Sequence, residues 1–373
     1  VEATLALCNE LEIPVTARGR GTGTTGATVP DRGGIVLSFE RMTRILRVDP
    51  NNRLAVVEPG VTNESLQQAV AREGFFWPPD PTSAAACTVG GNLAYNAAGP
   101  RAVKYGTPRE NTLGLRAVTG AAEPFRTGVS TTKGVVGYDL TRLIIGSEGT
   151  LALITEATLK LTPLPEAKRT LRATYGDIHA AAAAVAAIMS QPVIPCALEF
   201  MDAAAIEMVR GFSDLRLPSG TGALLMIEVD SPAHCVDEAA RAVALAASNA
   251  GLKDLHTAAD AAEIAALWKT RKALSPALRH IAPKKINEDV VVPVSRIGSF
   301  IGGLERLSRE TGIRIVNFGH AGNGNIHVNL LVNPADRDEM ARAERCLDAV
   351  FSLVIALDGT LSGEHGVGLE KRD

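Results

Sequence analysis

Two short polar segments near the C-terminal end carry this chain's most suggestive grouping of chemically capable residues. Gly319-His320-Ala321-Gly322-Asn323-Gly324-Asn325-Ile326-His327-Val328-Asn329 carries two of the seven histidines, and Ser362-Gly363-Glu364-His365-Gly366-Val367-Gly368 carries a third beside a glutamate. Imidazoles and a carboxylate among small residues form the donor set of a first-row metal site with room for a further ligand. His320, His327 and Glu364 are therefore the candidate ligands of a divalent metal, zinc or manganese by donor type. A single histidine at a strand end is ordinarily a satisfied polar residue and nothing more. The second glycine-bracketed loop, with Glu364 and His365 adjacent, favours a site.

The elements that must position these residues can be read around them. Ile313 to Phe318 and Ile326 to Leu331 alternate as strands do, and Ala-Gly-Asn-Gly-Asn between them is turn chemistry. The expectation is a hairpin with one histidine at each end of its turn. Upstream, Ile13 to Arg18 reads as a strand feeding a glycine-rich loop, Gly19 to Gly26. Gly34 to Ser38, Leu54 to Glu58, the alternating run Leu151 to Leu161 and Ala223 to Val229 read as further strands. Val1 to Leu11, Asn63 to Glu73, Ile178 to Ile188, Asp237 to Ala250 and Ala258 to Lys272 read as helices. Thr162-Pro163-Leu164-Pro165-Glu166, with two prolines, is the best domain boundary. It divides a glycine-rich first domain, 1–165, from an alanine-rich α+β second domain, 166–373.

Composition excludes several classes. At 373 residues the chain exceeds one ordinary core, so two domains are expected. A net charge of −3 and 4% aromatic residues argue against nucleic acid as a partner. The five cysteines, Cys8, Cys87, Cys196, Cys235 and Cys346, are scattered and fit buried thiols of a reducing compartment. No apolar run reaches membrane-spanning length. The expected location is cytoplasmic, free or peripheral at the membrane. The chain starts at Val1 and stops just after a motif, so a fragment shortened at both ends is expected.

Three glycine clusters share the first domain: Gly19 to Gly26, Thr88-Val89-Gly90-Gly91-Asn92, and Gly146-Ser147-Glu148-Gly149-Thr150. Backbone without side chains can approach a ligand and turn its N–H groups toward anionic oxygens. Gly21-Thr22-Gly23-Thr24-Thr25-Gly26 matches Gly-x-Gly-x-x-Gly, but no long helix can follow it, which disfavours a Rossmann site. Three loops suit an extended ligand with a pyrophosphate.

These residues, with Arg18-Gly19-Arg20-Gly21-Thr22-Gly23, Pro79-Asp80-Pro81, Lys104-Tyr105-Gly106 and Gly137-Tyr138-Asp139-Leu140-Thr141 in the same order, carry a resemblance. The chain resembles FAD-linked oxidoreductases of the vanillyl-alcohol oxidase and p-cresol methylhydroxylase type. Within them it is similar to the 2-hydroxyacid dehydrogenase branch, which takes in glycolate oxidase D subunits, cytochrome-type D-lactate dehydrogenases and D-2-hydroxyglutarate dehydrogenases. The resemblance implies an α+β fold: a two-subdomain FAD-binding domain of the p-cresol methylhydroxylase type, then an FAD-linked oxidase C-terminal domain over the flavin.

It implies cofactor contacts from Arg18, Gly19, Arg20, Gly21, Thr22, Gly23, Thr24 and Gly26, from Pro79 and Asp80, and from Thr88, Gly90, Gly91 and Asn92. Glu148, Gly149 and Ile154 are expected at the cofactor's other face. Thr22 stands where some relatives carry a flavin-tethering histidine, so the FAD is expected to be non-covalent. The implied reaction is oxidation of a D-2-hydroxy acid (D-lactate, glycolate or D-2-hydroxyglutarate) to the 2-oxo acid. Metal on His320, His327 and Glu364 would lower the hydroxyl pKa, and His365 would take the proton. Arg271 and Lys285 are candidates to hold the carboxylate, and Asn325 to orient the substrate. Electrons would pass to a quinone, a cytochrome or an electron-transfer flavoprotein, and a homo- or hetero-oligomer fits the branch. The alternatives are a non-catalytic FAD-binding subunit of a glycolate oxidase-type complex, a peptidoglycan-precursor reductase of the same FAD fold, and a metallohydrolase whose N-terminal loops are only structural.

Overall fold

The computed structural model describes residues 1–210 and 217–372. The chain divides into two compact units: Val1–Leu164 with the closing segment Glu364–Asp373, and Pro165–Gly363.

The first unit opens with helix α1 (Glu2–Glu10), followed by the parallel pair β1 (Val15–Arg18) and β2 (Ile35–Ser38). Strands β3 (Ile45–Asp49) and β4 (Leu54–Val57) lead into α2 (Asn63–Ala71), whose Thr62 cap accepts from Ser65 N–H. Leu66 and Val70 form its buried stripe. A short strand β5 (Phe75–Phe76) precedes α3 (Val89–Tyr95) and α4 (Ala102–Tyr105). Strands β6 (Thr112–Thr119) and β7 (Pro124–Gly128), helix α5 (Leu140–Ile144), then β8 (Ala152–Lys160) and β9 (Thr162–Pro163) complete it. Among the described residues one antiparallel sheet runs β3-β4-β8-β6-β7, and β5 pairs with β9. Val57, Leu66, Leu93, Leu115 and Leu159 pack with the fully buried Trp77, whose indole N–H donates to the Asn111 carbonyl at 3.0 Å. Each such aliphatic side chain contributes about 1.5–3 kcal/mol by leaving water.

The second unit is a seven-stranded antiparallel sheet among the described residues. Its strands are β10 (Ala167–Tyr175), β11 (Ala197–Asp202), β12 (Ala223–Ser231), β13 (Leu252–Thr257), β14 (Lys284–Val291), β15 (Arg314–His320) and β16 (Asn325–Val332). Their order is β13-β10-β12-β11-β15-β16-β14. Helices α6 (Ile178–Ser190), α7 (Ala203–Arg210), α8 (Val236–Ala247), α9 (Ala261–Ile281), α10 (Ile297–Thr311) and α11 (Arg337–Ala356) belong to the same unit. Period-two alternation sorts the strand residues between two cores. Leu225, Ile227, Val328 and Leu330 join α6, α8, α10 and α11, whereas Leu224, Met226, Val316 and Phe318 join α7 and α9.

One expectation needs correction, and one segment packs away from its expected neighbours. Residues 364–373, assigned from sequence to the second domain, make their contacts with the first unit. The reason is long-range backbone pairing invisible to local pattern: Leu369 and Glu370 N–H both reach the Thr25 carbonyl, at 2.7 and 3.2 Å. The cluster at 88–92, expected as a loop, is the start of α3. Glycine is a poor helix former, so two in a row read as loop. Here close packing overrides propensity, because a Cβ on Gly90 would lie 2.5 Å from Pro59 Cβ.

Candidate active site

The first unit contains an open cleft whose lining includes Arg18, Gly19, Thr88, Gly90, Gly91, Glu148, Gly149 and Ile154. All eight were singled out from sequence. Thr88 caps α3 by accepting from Gly91 N–H at 3.2 Å, and a Cβ on Gly19 would meet the Thr88 hydroxyl at 2.5 Å. Bare backbone at Gly19 therefore lets the end of β1 meet the cap of α3, and bare backbone at Gly90 lets α3 pack on Pro59. Glu148 stands at φ +52°, and its carboxylate accepts from Val367 and Gly368 N–H at 2.7 and 2.9 Å. The closing segment is thereby tied to the cleft wall.

The other expected cofactor residues are not part of the cleft lining. Arg20 pairs with Glu40 at 3.3 Å, and Asp80 with Arg101 at 3.4 Å. Thr22 and Thr24 are exposed, and Gly21 and Gly26 have positive φ. Gly23 is held against Tyr95, whose hydroxyl would lie 2.9 Å from a Cβ there. The Pro79 carbonyl accepts from Asn63 Nδ2 at 2.9 Å, and Asn92 is buried.

Sequence reasoning missed Phe39, Pro59, Tyr95 and Ser147 among the lining residues. Ser147 sat inside a quoted motif, which was signal enough. Phe39 and Tyr95 arrive only through folding. Burial raises the Tyr95 phenol above its ordinary range, against hydrogen bonding to Thr25.

The second unit carries a buried charged cluster on the α7/α9 face of its sheet. The hairpin is as expected, β15 and β16 joined by the turn Ala321–Asn323, with Phe318 paired to His327 and His320 to Asn325. Gly324 closes it at φ +74°, where a Cβ would sit 1.8 Å from the Val292 carbonyl oxygen, so no other residue fits. The rings of His320 and His327 are 5.4 Å apart, nearly perpendicular.

Behind each ring stands a buried carboxylate from a neighbouring strand. The register pairs Glu199 of β11 with His320 and Asp289 of β14 with His327. Glu199 Oε1 lies 2.5 Å from His320 Nδ1, and its Oε2 accepts from Arg271 Nε at 2.7 Å. Burial alone would raise the Glu199 carboxyl, but its interactions with His320 and Arg271 outweigh it and the net shift is down. Asp289 Oδ1 lies 3.7 Å from His327 Nδ1 and accepts from Asn325 Nδ2 at 2.6 Å. Its other oxygen accepts from Ser362 Oγ and Gly363 N–H at 3.3 and 3.0 Å.

Arg271 is 9% exposed, so it is no solvated helix residue, and its guanidinium lies 4.9 Å over the Phe318 ring. Lys285 is half-buried on β14, opposite Leu331. Asn325 spends its amide N–H groups on Asp289 and the Val290 carbonyl, which makes it a holder of Asp289. Glu364 and His365 belong to the closing segment of the first unit, where Glu364 accepts from Gly99 N–H at 2.9 Å and the His365 carbonyl accepts from Thr25 Oγ1 at 3.0 Å. Glu199 and Asp289, the carboxylates behind the rings, were missed. They are far from the histidine motifs in sequence, and only strand order brings them near.

Known proteins with this pattern are informative. Residues 1–128 match the model of the FAD binding domain, and residues 164–373 match that of the FAD linked oxidases, C-terminal domain. Glycolate oxidase subunit GlcD of Bacillus subtilis is 39% identical over 368 residues, 99% of this chain and 78% of the relative. D-lactate dehydrogenase of Archaeoglobus fulgidus is 38% identical over 373 residues, 100% of this chain and 81% of the relative. Among solved structures, p-cresol methylhydroxylase superposes with a TM-score of 0.79 over 99% of this chain and 79% of that one, at 16% identity. Alkyldihydroxyacetonephosphate synthase does so at 0.75, over 97% and 70%, at 21% identity. At such identities these structures speak to the fold alone. A glycine-walled cleft in an N-terminal unit, followed by a sheet with buried histidines, is thus an arrangement with relatives along its whole length, and the chain belongs to the FAD-linked oxidases, with an FAD-binding domain of the p-cresol methylhydroxylase type.

Proposed function

We propose that this chain oxidises a small D-2-hydroxy acid to the 2-oxo acid. The observation that carries the reading is the buried cluster of Arg271, His320 and His327 on one sheet face, in a chain similar to a glycolate oxidase subunit and a D-lactate dehydrogenase. Glycolate and D-lactate share a carboxylate beside a hydroxyl-bearing carbon, and this cluster offers one group for each.

FAD, when bound, supplies a hydride acceptor. The cleft suits it: the hydroxyl of Ser147, on its lining, is buried without a hydrogen-bond partner among the described residues. A polar ligand that satisfies such groups stabilises the site. Arg18, Gly19, Gly90 and Gly91 would hold the pyrophosphate, with Arg20, Gly21, Thr22, Gly23, Thr24, Gly26, Pro79, Asp80 and Thr88 framing it and Glu148, Gly149 and Ile154 opposite. Attachment is non-covalent, since Thr22 offers no imidazole to alkylate.

Arg271 binds the substrate carboxylate through its terminal N–H groups, Nε being committed to Glu199. Lys285 assists. His365 takes the hydroxyl proton. A divalent ion, zinc or manganese, would be held by His320, His327 and Glu364, and would lower the hydroxyl pKa. The donor set supports this. The imidazoles of His320 and His327 stand 5.4 Å apart, and imidazole nitrogen is a donor that zinc and manganese take. The His320 ring also sets Nδ1 against the buried Glu199 carboxylate, the arrangement that orients metal-bound histidines.

Anaerobic mixing with glycolate and with D- and L-forms of lactate and 2-hydroxyglutarate tests the reading. One D-acid should bleach the flavin band, and chelator should abolish bleaching while FAD stays bound. A flavin that no acid reduces would favour the second reading, an FAD-binding subunit without its own catalysis. That reading draws on the word subunit in the name of the Bacillus subtilis relative. The acceptor is a quinone, a cytochrome or an electron-transfer flavoprotein, in a cytoplasmic protein that works free, as an oligomer or against a membrane surface. No described helix is long and apolar enough to cross a membrane.

A further inference from the structure

One carboxylate in the second unit serves two functional groups at once. Glu199 is 1% exposed, on a central strand, and each of its oxygens has a different partner: His320 Nδ1 at 2.5 Å and Arg271 Nε at 2.7 Å. Nothing in the catalytic reading uses it directly. A structural ion pair would be complete with Arg271 alone, and burying an ion pair contributes little to stability against an apolar replacement. A third group drawn onto the same carboxylate calls for another account.

We propose that Glu199 is a positioning residue that couples the substrate-carboxylate clamp to the histidine site. The inference rests on the functional reading above for what the two partners do. By accepting from Nδ1–H, Glu199 fixes the tautomer of His320 and puts the lone pair on Nε2, the atom a ligand must use. By accepting from Nε–H, it fixes the plane of the Arg271 guanidinium, which Phe318 supports from one face at 4.9 Å. Because both partners share one rigid carboxylate, a displacement of Arg271 is felt as a change in the hydrogen bond to His320. Coupling between two sites through a common group is reciprocal.

The test has a readout that needs neither metal nor turnover. FAD-loaded protein, labelled with ¹⁵N-histidine and treated with chelator at pH 8, reports imidazole tautomers by long-range ¹H–¹⁵N correlation. The His320 signal is assigned by its loss in His320→Gln. The wild type should show the Nδ1–H form. Glu199→Gln, which can accept through only one of its two terminal atoms, should give a mixture of tautomers. Arg271→Lys should do the same, although Arg271 does not touch the ring in the proposal. Glu199→Asp, which keeps the charge but is one methylene short of spanning both partners, serves if the glutamine variant folds poorly and should also give a mixture.

In steady-state assays with the acid that bleaches the flavin, Glu199→Gln should raise KM at least 10-fold and lower kcat about as much, with the double variant Glu199→Gln/Arg271→Lys little worse than the poorer single one. An Nε2–H signal in the wild type overturns the proposal. An unchanged tautomer in both single variants does so too, as do single-variant effects that simply multiply. If no hydroxy acid reduces the flavin, the functional reading fails, while the tautomer result still decides the coupling.

Discussion

Glu148 accepts the backbone N–H groups of Val367 and Gly368, one on each carboxylate oxygen, at 2.7 and 2.9 Å. A residue in a left-handed turn of the cleft wall thus holds a segment more than two hundred positions away. Glu148→Ala removes two charge-assisted bonds, each about 1.5–3 kcal/mol. FAD affinity of the apoprotein, measured by fluorescence titration, should fall roughly 10–100-fold. An unchanged affinity would mean that the wall keeps its shape without the closing segment.

Gly90 packs on Pro59 with no room for a methyl group. Gly90→Ala should cost about 1–3 kcal/mol by overpacking. The loss should appear in thermal unfolding together with earlier release of FAD fluorescence. Equal melting temperatures would show that Pro59 yields.

Arg271→Ala strips the guanidinium from a buried glutamate. Breaking such a pair destabilises by about 3–5 kcal/mol, which denaturant titration will read. Arg271→Lys keeps a charge but not the fork, and should raise KM for the hydroxy acid more than it lowers kcat. A variant with wild-type stability and KM would mean that Arg271 holds neither the substrate nor Glu199 in place.

Asp202 is buried at the start of α7, where Oδ1 accepts from Ala205 N–H and Oδ2 from Asn317 N–H and Nδ2. Burial pushes its carboxyl up to about 6, against those hydrogen bonds. The folded state therefore keeps a proton that the unfolded chain has released. Its stabilising effect is full below pH ~4 and is lost as pH rises to about 6, by about 3 kcal/mol at the outside. Asp202→Asn should flatten that part of the stability curve. A slope between pH 4 and 6 that matches the wild type would assign it to other groups.

Acid precipitation should send all the yellow colour into the supernatant, because Thr22 cannot tether the flavin. Colour kept in the pellet would point to a covalent bond elsewhere.

Much of this architecture is legible in local sequence, for local reasons. The hairpin of His320 and His327 follows from period-two alternation around a glycine-asparagine turn, and α6 from an alanine-rich run of high helix propensity. The boundary near Pro163 and Pro165 is written in backbone chemistry. Eight of the residues expected at the cofactor do line the cleft, four of them glycines whose bare backbone leaves room for a ligand. Tertiary structure decided what depends on contact at a distance. It made a helix of Val89-Gly90-Gly91, since packing against Pro59 outweighs the helix propensity of glycine. It returned residues 364–373 to the first unit through bonds to Thr25 and Glu148. It also set Glu199 behind His320 and Asp289 behind His327, because strand order, and no spacing along the chain, chooses which carboxylate a buried imidazole meets.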